Sequence, residues 1–431
     1  MREMKNSGIE WIGEIPATWE LKRIKALFLE RKEKNDPVQT DFILSLGAAY
    51  GVVPYTEKEG GGNKAKEDLT DYRLAYPGDI VMNSMNVISG SVGMSKYFGC
   101  VSPVYYMLYP RQNNVDPIFF CYMFQAKAFQ RSLLGLGNGI LMKETNSGNF
   151  NTVRTRIPME KLGVQLLPFP SFAEQKQISE TLDRTCAEID VVITTTKKTI
   201  EEYKKLKQSI ITDAVTKGIR GNRSMKDSGI KWIDLIPCDW EIYKFGRCVT
   251  IKSNLVAPEN YLSYPQIAPD NIEKGSARLL NNIRTVEEVG VVSWNHLFHK
   301  GQIIYSKIRP MLNKLVIAPF DGLCSADMYP IETENDTDYI VFLMLSDLFL
   351  SQVGLVTINR VKMPKINQNE LANIRVPMPE IEEQREIAEY LKVKCRQLDE
   401  IIDKKEKYLS EIENYKNSLI YEYVTGKKEV P

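Results

Sequence analysis

The sequence predicts an α+β fold, with two β-rich domains in a tandem pseudo-twofold repeat joined by two long helices that form an antiparallel coiled coil. Three observations predict this fold. An opening motif occurs twice, a helix-start motif occurs twice in the same order, and a long segment without Gly or Pro follows each helix start. The landmarks divide the chain into a β-rich domain at 1–167, a spacer helix at 168–219, a second β-rich domain at 220–376 and a second spacer helix at 377–431.

The duplication rests on two pairs of matching segments. SGIEWIGEIPATWE, starting at Ser7, recurs as SGIKWIDLIPCDWE, starting at Ser228. PSFAEQKQISETL, starting at Pro170, recurs as PEIEEQREIAEYL, starting at Pro379. Two matches in the same order that enclose similar lengths indicate an internal repeat. The tryptophans of the openings are Trp11, Trp19, Trp232 and Trp240, and we expect them to pack the start of each domain against the helices.

Short β-branched and aromatic runs, broken by Gly, Pro and Asn, fill 41–167 and 255–376. They predict β-rich domains with one helix near 117–133 and one near 339–353. GDIVMNS at Gly78 matches GQIIYSK at Gly301, whereas the segments around this frame differ. The two domains should therefore share a strand framework and carry different loops.

Apolar residues in both helical segments recur at alternating steps of three and four, which is the seam of a coiled coil. Helices of this length span about 65 Å, which favours pairing of one with the other. Both seams weaken at matching polar positions, Thr196 with Lys405 and Lys207 with Lys416. The residues predicted to pair the helices are Leu182, Ile189, Ile193, Ile200, Ile210, Leu391, Leu398, Ile402, Leu409 and Leu419.

The motifs of several enzyme classes are missing from the sequence. His296 and His299 are the two histidines and have no cysteine beside them, so we expect no metal site and no catalytic residue. No phosphate-binding G-x-x-x-x-G-K-[ST] motif and no Pro-Pro dipeptide occur. The seven cysteines are widely spread, and no apolar run has membrane-span length, so we expect a cytoplasmic protein without disulfides. The chain has 56 basic and 55 acidic residues, and this balance identifies no partner.

The repeated motifs carry a family resemblance. The G-I-x-W-I-x-x-I-P-x-x-W-E openings at Gly8 and Gly229, and the P-x-x-E-Q-x-x-I starts at Pro170 and Pro379, are similar to those of the specificity subunit of type I DNA restriction-modification systems. The resemblance extends over essentially the whole chain. It implies two target-recognition domains that each read one half of a bipartite site in double-stranded DNA, with the helices as the spacer.

The resemblance also implies partners and cofactors. Two methyltransferase subunits would carry S-adenosylmethionine, and motor-nuclease restriction subunits would use ATP and Mg, while this chain would bind no cofactor. Base edges are read by side chains that enter the major groove, and phosphate contacts fix the register on the duplex.

The DNA contacts are predicted from polar and basic residues in segments that interrupt the strand framework. Arginine suits guanine O6 and N7, and asparagine suits adenine N6 and N7. In the first domain the predicted residues are Asn63, Lys64, Lys66, Tyr72, Arg73, Asn83, Asn86, Lys96, Lys143 and Arg154. In the second domain they are Lys252, Asn254, Lys307, Arg309, Asn313, Lys314, Arg360 and Lys362.

Two other functions stay open at this point. A non-catalytic coiled-coil adaptor would use the β-rich domains to bind proteins or glycans, and it would show no salt-dependent DNA binding. A self-contained nuclease is disfavoured by the missing metal and phosphate motifs. The Glu-Gln dipeptides at the helix starts are expected to be structural, since Glu is favourable at a helix N-terminus.

Overall fold

The computed structural model describes residues 2–47, 51–58, 65–85, 87–137, 156–230, 232–360 and 363–430. The chain forms two compact units. Unit 1 is Met1–Thr195 with Tyr408–Pro431, and unit 2 is Thr196–Lys407. Each unit therefore contains one β-rich half of the chain and a part of each long helix.

The elements of the first half and the first long helix follow in chain order. The strands are β1 (Met4–Asn6), β2 (Glu14–Pro16), β3 (Glu20–Arg23), β4 (Phe28–Arg31), β5 (Leu44–Gly47), β6 (Gly51–Pro54), β7 (Arg73–Ala75), β8 (Ile80–Asn83), β9 (Val92–Met94), β10 (Gly99–Val101), β11 (Tyr105–Pro110) and β12 (Leu166–Phe169). The helices are α1 (Ile24–Leu27), α2 (Pro117–Gln125), α3 (Lys127–Ser132), α4 (Met159–Leu162) and the long helix α5 (Phe172–Lys217).

The second half repeats much of this order. Its strands are β13 (Met225–Asp227), β14 (Leu235–Pro237), β15 (Glu241–Lys244), β16 (Thr250–Ile251), β17 (Leu255–Val256), β18 (Pro265–Ile267), β19 (Arg284–Thr285), β20 (Asn295–Phe298), β21 (Ile303–Ser306), β22 (Leu315–Ile317), β23 (Gly322–Cys324), β24 (Met328–Glu332) and β25 (Arg375–Met378). Its helices are α6 (Phe245–Cys248), α7 (Val286–Val289), α8 (Thr337–Leu345), α9 (Asp347–Thr357), α10 (Gln368–Ala372) and the second long helix α11 (Ile381–Val424).

The two units share a strand framework. A four-stranded sheet has the order β4-β11-β8-β9 in unit 1 and β16-β24-β21-β22 in unit 2, and all its pairs are antiparallel. The pairs β1-β2 and β3-β12 of unit 1 match β13-β14 and β15-β25 of unit 2. GDIVMNS and GQIIYSK form the equivalent strands β8 and β21, which confirms the common frame that the sequence predicts.

The segments carried on this framework differ between the units. Unit 1 has the two-stranded sheets β5-β6 and β7-β10, whereas unit 2 has the five-stranded sheet β17-β20-β23-β18-β19, with one parallel pair. A common support with different additions means that the two units present different side chains from equivalent places.

Each long helix ends where a glycine adopts a left-handed conformation. Gly218 follows α5 with φ 74° and Gly426 follows α11 with φ 74°. A residue at this position closes the last helical turn, and glycine does so without a steric cost. The uninterrupted segments that the sequence predicts as helices are confirmed as α5, with 46 residues, and α11, with 44 residues.

The helix expected near 117–133 is broken into α2 and α3, and the one near 339–353 into α8 and α9. At the first break the Gln130 side chain donates to the Phe124 and Gln125 carbonyls, which end α2. At the second break the Ser346 hydroxyl accepts from the Phe349 N–H and caps α9. No single helix of the described residues is long and apolar enough to cross a bilayer; α8 and α9 pass that test together, but they are bent by 59° and mostly buried.

Candidate nucleic-acid interface

The helix start of unit 1 holds the opening motif through one partly buried cluster. The Trp19 indole N–H donates to Glu174 Oε2 at 2.9 Å. Arg2 bonds the other oxygen of Glu174 at 2.5 Å, lies 5.1 Å over the Trp19 ring and donates to the Gly426 carbonyl at 3.0 Å. The cluster therefore joins the opening motif to the first turn of α5 and the end of α11.

Unit 2 repeats the same cluster with different sequence around it. The Trp240 indole N–H donates to Glu383 Oε2 at 3.0 Å, and Arg223 contacts Glu383 and lies 5.6 Å over the Trp240 ring. The hydrogen bond that Arg223 donates to Glu383 raises the pKa of Arg223. A Cβ atom on Gly218 would lie only 2.8 Å from Arg223, so the left-handed glycine also makes room for this cluster.

The glutamines of the two Glu-Gln pairs are also structural. Gln175 accepts from the Asp116 N–H at 2.8 Å and donates to the Pro170 carbonyl at 2.9 Å. Gln384 accepts from the Asp336 N–H at 3.0 Å and donates to the Pro379 carbonyl. Each glutamine therefore ties the helix start to the loop before α2 or α8.

The long helices pack against each other inside each unit. In unit 1 the α5 residues Leu182, Ile189 and Ile193 share a core with Leu419 of α11, and Leu409 packs against it. In unit 2, Ile200, Leu391, Leu398 and Ile402 are buried and Ile210 is half-buried. Lys204 bonds Glu406, and Lys207 bonds Asp399. The residue number of the α11 partner falls as the residue number along α5 rises, so the two helices run antiparallel.

Two of the polar positions of the seam, Lys207 and Lys416, form ion pairs. Lys207 Nζ lies 2.7 Å from Asp399 in unit 2, and Lys416 Nζ lies 2.6 Å from Asp190 in unit 1. Lys207 corresponds to Lys416 in the repeat, and Asp190 corresponds to Asp399. The weak point that Lys207 and Lys416 mark in the two sequence seams is thus one ion pair that occurs twice.

Four predicted contact residues of unit 2 lie on the loop 307–314, which follows β21. Arg309 is exposed, has a left-handed backbone at φ 45°, and donates its N–H to the Pro364 carbonyl at 2.8 Å. Lys307 lies 5.1 Å over the Tyr329 ring. Arg360 bonds the Lys365 carbonyl and the Glu370 carboxylate, and this contact lowers the pKa of Glu370. The structure therefore brings Lys307, Arg309 and Arg360 to one edge of unit 2.

Asn313 and Lys314 stabilise the base of that loop. Asn313 is 2% exposed, has φ 46°, and donates its side-chain amide to the Met344 carbonyl at 3.0 Å. Lys314 Nζ donates to the Pro269 carbonyl at 2.7 Å. Lys252 is not near them, because it pairs at 2.6 Å with Glu332, which lies beside the start of β21 rather than its end. Asn254 lies just before β17, and its carbonyl accepts from the Leu297 N–H of β20 at 2.8 Å. The hydrogen bond from Lys252 lowers the pKa of Glu332.

The predicted residues of unit 1 fall into exposed and buried groups. Lys66 and Lys96 are exposed, whereas Tyr72 and Asn83 are buried, and Asn83 accepts from the Met85 N–H at 3.0 Å. Arg73 pairs with Glu30 at 2.9 Å, and Lys96 lies at the end of β8 opposite to Asn83. The predicted residues that lie outside the described ones are Asn63, Lys64, Asn86, Lys143, Arg154 and Lys362.

Comparison with known proteins decides the family. A family model described as type I restriction modification DNA specificity domain matches residues 239–414. The type I restriction enzyme EcoDI specificity subunit of Escherichia coli is 31% identical over 355 residues, which cover 78% of this chain and 76% of that relative. The chain belongs to the type I restriction enzyme specificity subunits.

Further relatives agree over the whole length of this specificity subunit. The MjaVIII specificity subunit of Methanocaldococcus jannaschii is 24% identical over 437 residues, with 96% of this chain and 94% of the relative covered. A solved structure, titled "Structural basis underlying complex assembly and conformational transition of the type I R-M system", superposes with a TM-score of 0.68 at 13% identity. It covers 96% of this chain and 99% of its own, and it shows the same fold.

Several residues at the edge of unit 2 were missed from the sequence. Lys365 pairs with Asp327 at 2.9 Å and forms a bridge with Ile308, so it lies beside the loop 307–314. Its position after Pro364 in a basic segment was the available signal. Met311, Ile358 and Met363 are 50%, 74% and 53% exposed, and apolar exposure of this extent is typical of interaction surfaces.

Trp232 differs from its counterpart in unit 1. Trp11 packs against Phe129 with ring centroids 5.4 Å apart, as expected, whereas Trp232 is 49% exposed and lines an open cavity with Met311, Leu355 and Ile358. The packing expected for all four opening tryptophans is therefore wrong for Trp232. The opening motif specifies the local backbone, but the residues facing it differ between the units.

Proposed function

We propose that this chain gives a type I restriction-modification complex its DNA sequence specificity. Each β-rich domain reads one half of a bipartite site in double-stranded DNA. The paired helices α5 and α11 set the distance between the halves and dock two methyltransferase subunits. The chain itself performs no catalysis.

The observation that carries the proposal is the doubled support with different additions. Each unit holds its strand framework on the helix pair through the same Trp-Glu-Arg cluster, Trp19 with Glu174 and Trp240 with Glu383. The framework then carries unlike sheets and loops. The same attachment to the helices with different exposed surfaces suits a protein that recognises two different half-sites. An adaptor that binds glycans or proteins does not need this combination.

In unit 2 we assign base reading to the loop 307–314 and phosphate contacts to its neighbours. Arg309 is exposed on a loop that its own N–H ties to the Pro364 carbonyl, and its guanidinium suits guanine. Lys365 and Lys307 flank it and suit phosphates. In unit 1 the exposed Lys66 and Lys96 suit phosphates. Asn83 and Asn313 are buried, and we assign them the role of shaping the loops.

The remaining chemistry belongs to partners in this proposal. Methyltransferase subunits supply S-adenosylmethionine and modify adenine, and motor-nuclease subunits supply ATP hydrolysis, Mg and cleavage. Partner subunits then also contribute phosphate-neutralising surface, which fits the net charge of +1 on this chain. We propose that the complex acts in the cytoplasm, where chromosomal DNA is accessible.

The test is methylome sequencing of cells that express the methyltransferase subunits with and without this chain. We expect adenine methylation at one bipartite sequence only when the chain is present. Exchanging 41–167 for the matching part of a relative should change one half of that sequence and leave the other. An unchanged motif set would contradict the proposal, and the absence of salt-dependent DNA binding by the complex would favour the adaptor.

A further inference from the structure

A small hairpin in unit 2 lies between the helix pair and the loop 307–314. Ile272 and Leu279 form its bridge, and the Glu273 N–H donates to the Arg278 carbonyl at 3.0 Å. Ile272 is fully buried in the core of the five-stranded sheet, and Leu279 packs against the same core. The hairpin 272–279 is therefore fixed to the recognition domain at its base.

One side of the hairpin contacts the second long helix. Arg278 Nη2 lies 3.1 Å from Asp399 Oδ2, and its Nη1 lies 3.7 Å from Asp403. Asp399 is the carboxylate that pairs with Lys207 across the helix seam. Ala277 packs against the core to which α11 contributes. Arg278 thus joins the ion pair that holds α5 to α11.

The opposite side of the same hairpin contacts the loop 307–314. The Gly275 N–H donates to the Asn313 carbonyl at 3.1 Å, and Lys314 Nζ reaches the Pro269 carbonyl just before the hairpin. Gly275 adopts φ 65°, a left-handed conformation that glycine takes without a steric cost. Asn313 is itself held by the Met344 carbonyl.

We propose that Arg278 is a positioning residue for DNA recognition, because it fixes the loop 307–314 relative to the helix pair. The inference rests on the proposed function and deepens it. Arg278 touches no base in this scheme. It acts through the hairpin 272–279, which holds the loop 307–314 in a fixed position. The helices meanwhile set the distance between the two half-sites.

The test compares Arg278→Ala with Lys274→Ala in the complex reconstituted with methyltransferase subunits. Lys274 is an exposed basic residue in the same hairpin, and it has no ion-pair partner among the described residues. The two variants therefore lose the same charge, but only Arg278→Ala loses an ion pair. Methylation rates are measured on duplexes with single substitutions in either half-site and with spacers changed by one base pair.

We expect Arg278→Ala to relax discrimination in the half-site read by unit 2, and between spacer lengths, by roughly threefold, as for the loss of a partly exposed ion pair. Discrimination in the other half-site should stay unchanged, and Lys274→Ala should match wild type. Arg278→Lys should retain most of the wild-type discrimination. Hydrogen exchange on the free chain should show faster exchange at the Gly275 and Arg309 amides in Arg278→Ala alone.

Three results would overturn the inference: equal behaviour of Arg278→Ala and Lys274→Ala, equal losses in both half-sites, or unchanged exchange at the loop. A loss of folding is recognised separately, by a Tm lower than that of Lys274→Ala. Failure of the proposed function is distinguishable, because the wild-type complex would then methylate no bipartite sequence at all.

Discussion

Replacing Glu383 with alanine should destabilise unit 2 far more than any exposed ion pair does. Its carboxylate side chain is 5% exposed and serves Trp240 and Arg223 together. A buried indole N–H without an acceptor costs about 1–3 kcal/mol. A broken buried ion pair costs about 3–5 kcal/mol, and here Arg223 keeps Asp239 as a partner, which reduces this loss. We expect a total of about 4 kcal/mol.

The matched control is Glu386→Ala, one turn further along α11. Glu386 also pairs with an arginine, Arg220 at 2.8 Å, but the two side chains are 48% and 50% exposed. Such a pair contributes about 0.2–1 kcal/mol. Thermal unfolding followed by calorimetry should therefore lower the Tm of the unit 2 transition by about 10 °C for Glu383→Ala and by about 2 °C for Glu386→Ala. Equal shifts would refute the role assigned to the Trp-Glu-Arg cluster.

Three further predictions concern the seam, the pH response and base reading. Leu182→Ala, at a fully buried seam position, should cost about 2–5 kcal/mol by thermal unfolding, whereas Val191→Ala, 66% exposed on the same helix, should stay within about 0.5 kcal/mol; equal costs would argue against the seam. Burial, and then the positive Lys307, lower the pKa of His296 from 6.5, so the unfolded chain takes up this proton first and stability should fall as pH drops below about 6.5. His296→Gln should flatten that fall between pH 7 and pH 5, and an unchanged slope would contradict the assignment. Arg309→Ala should lose about 1–3 kcal/mol of discrimination at one guanine of the unit 2 half-site, seen in methylation rates, and Arg309→Lys should not recover it, since lysine lacks the bidentate geometry.

The helices were predictable because their signal is local and long. No Gly or Pro interrupts Phe172–Lys217, and the apolar steps along it fit one seam. The ion pairs across that seam were not predictable, because the partner of Lys207 lies far along the chain at Asp399. The sequence marks Lys207 only as a weak point of the apolar pattern.

The candidate contact residues show a second limit of sequence reasoning. Asn83 and Asn313 look like loop residues because Gly, Pro and Asn surround them, yet both are buried and hydrogen-bonded to backbone groups. Arg309 lies in a similar sequence context, yet it is exposed. Whether a polar residue points outward or closes a turn depends on backbone angles that the pattern does not contain. Their contact with DNA stays a prediction.

The discontinuous composition of unit 1 has a consequence for its biosynthesis. Leu419, Ile420, Tyr423 and Val424 complete a core whose other buried residues lie before Thr195. At about 5–20 residues per second, a ribosome needs about 10–40 s to add the intervening stretch. During that time the apolar face of the amino-terminal half is not covered by the end of α11. A premature stop before Tyr408 would therefore damage the part of the protein that was made first, and it would leave the part made second with all of its own residues.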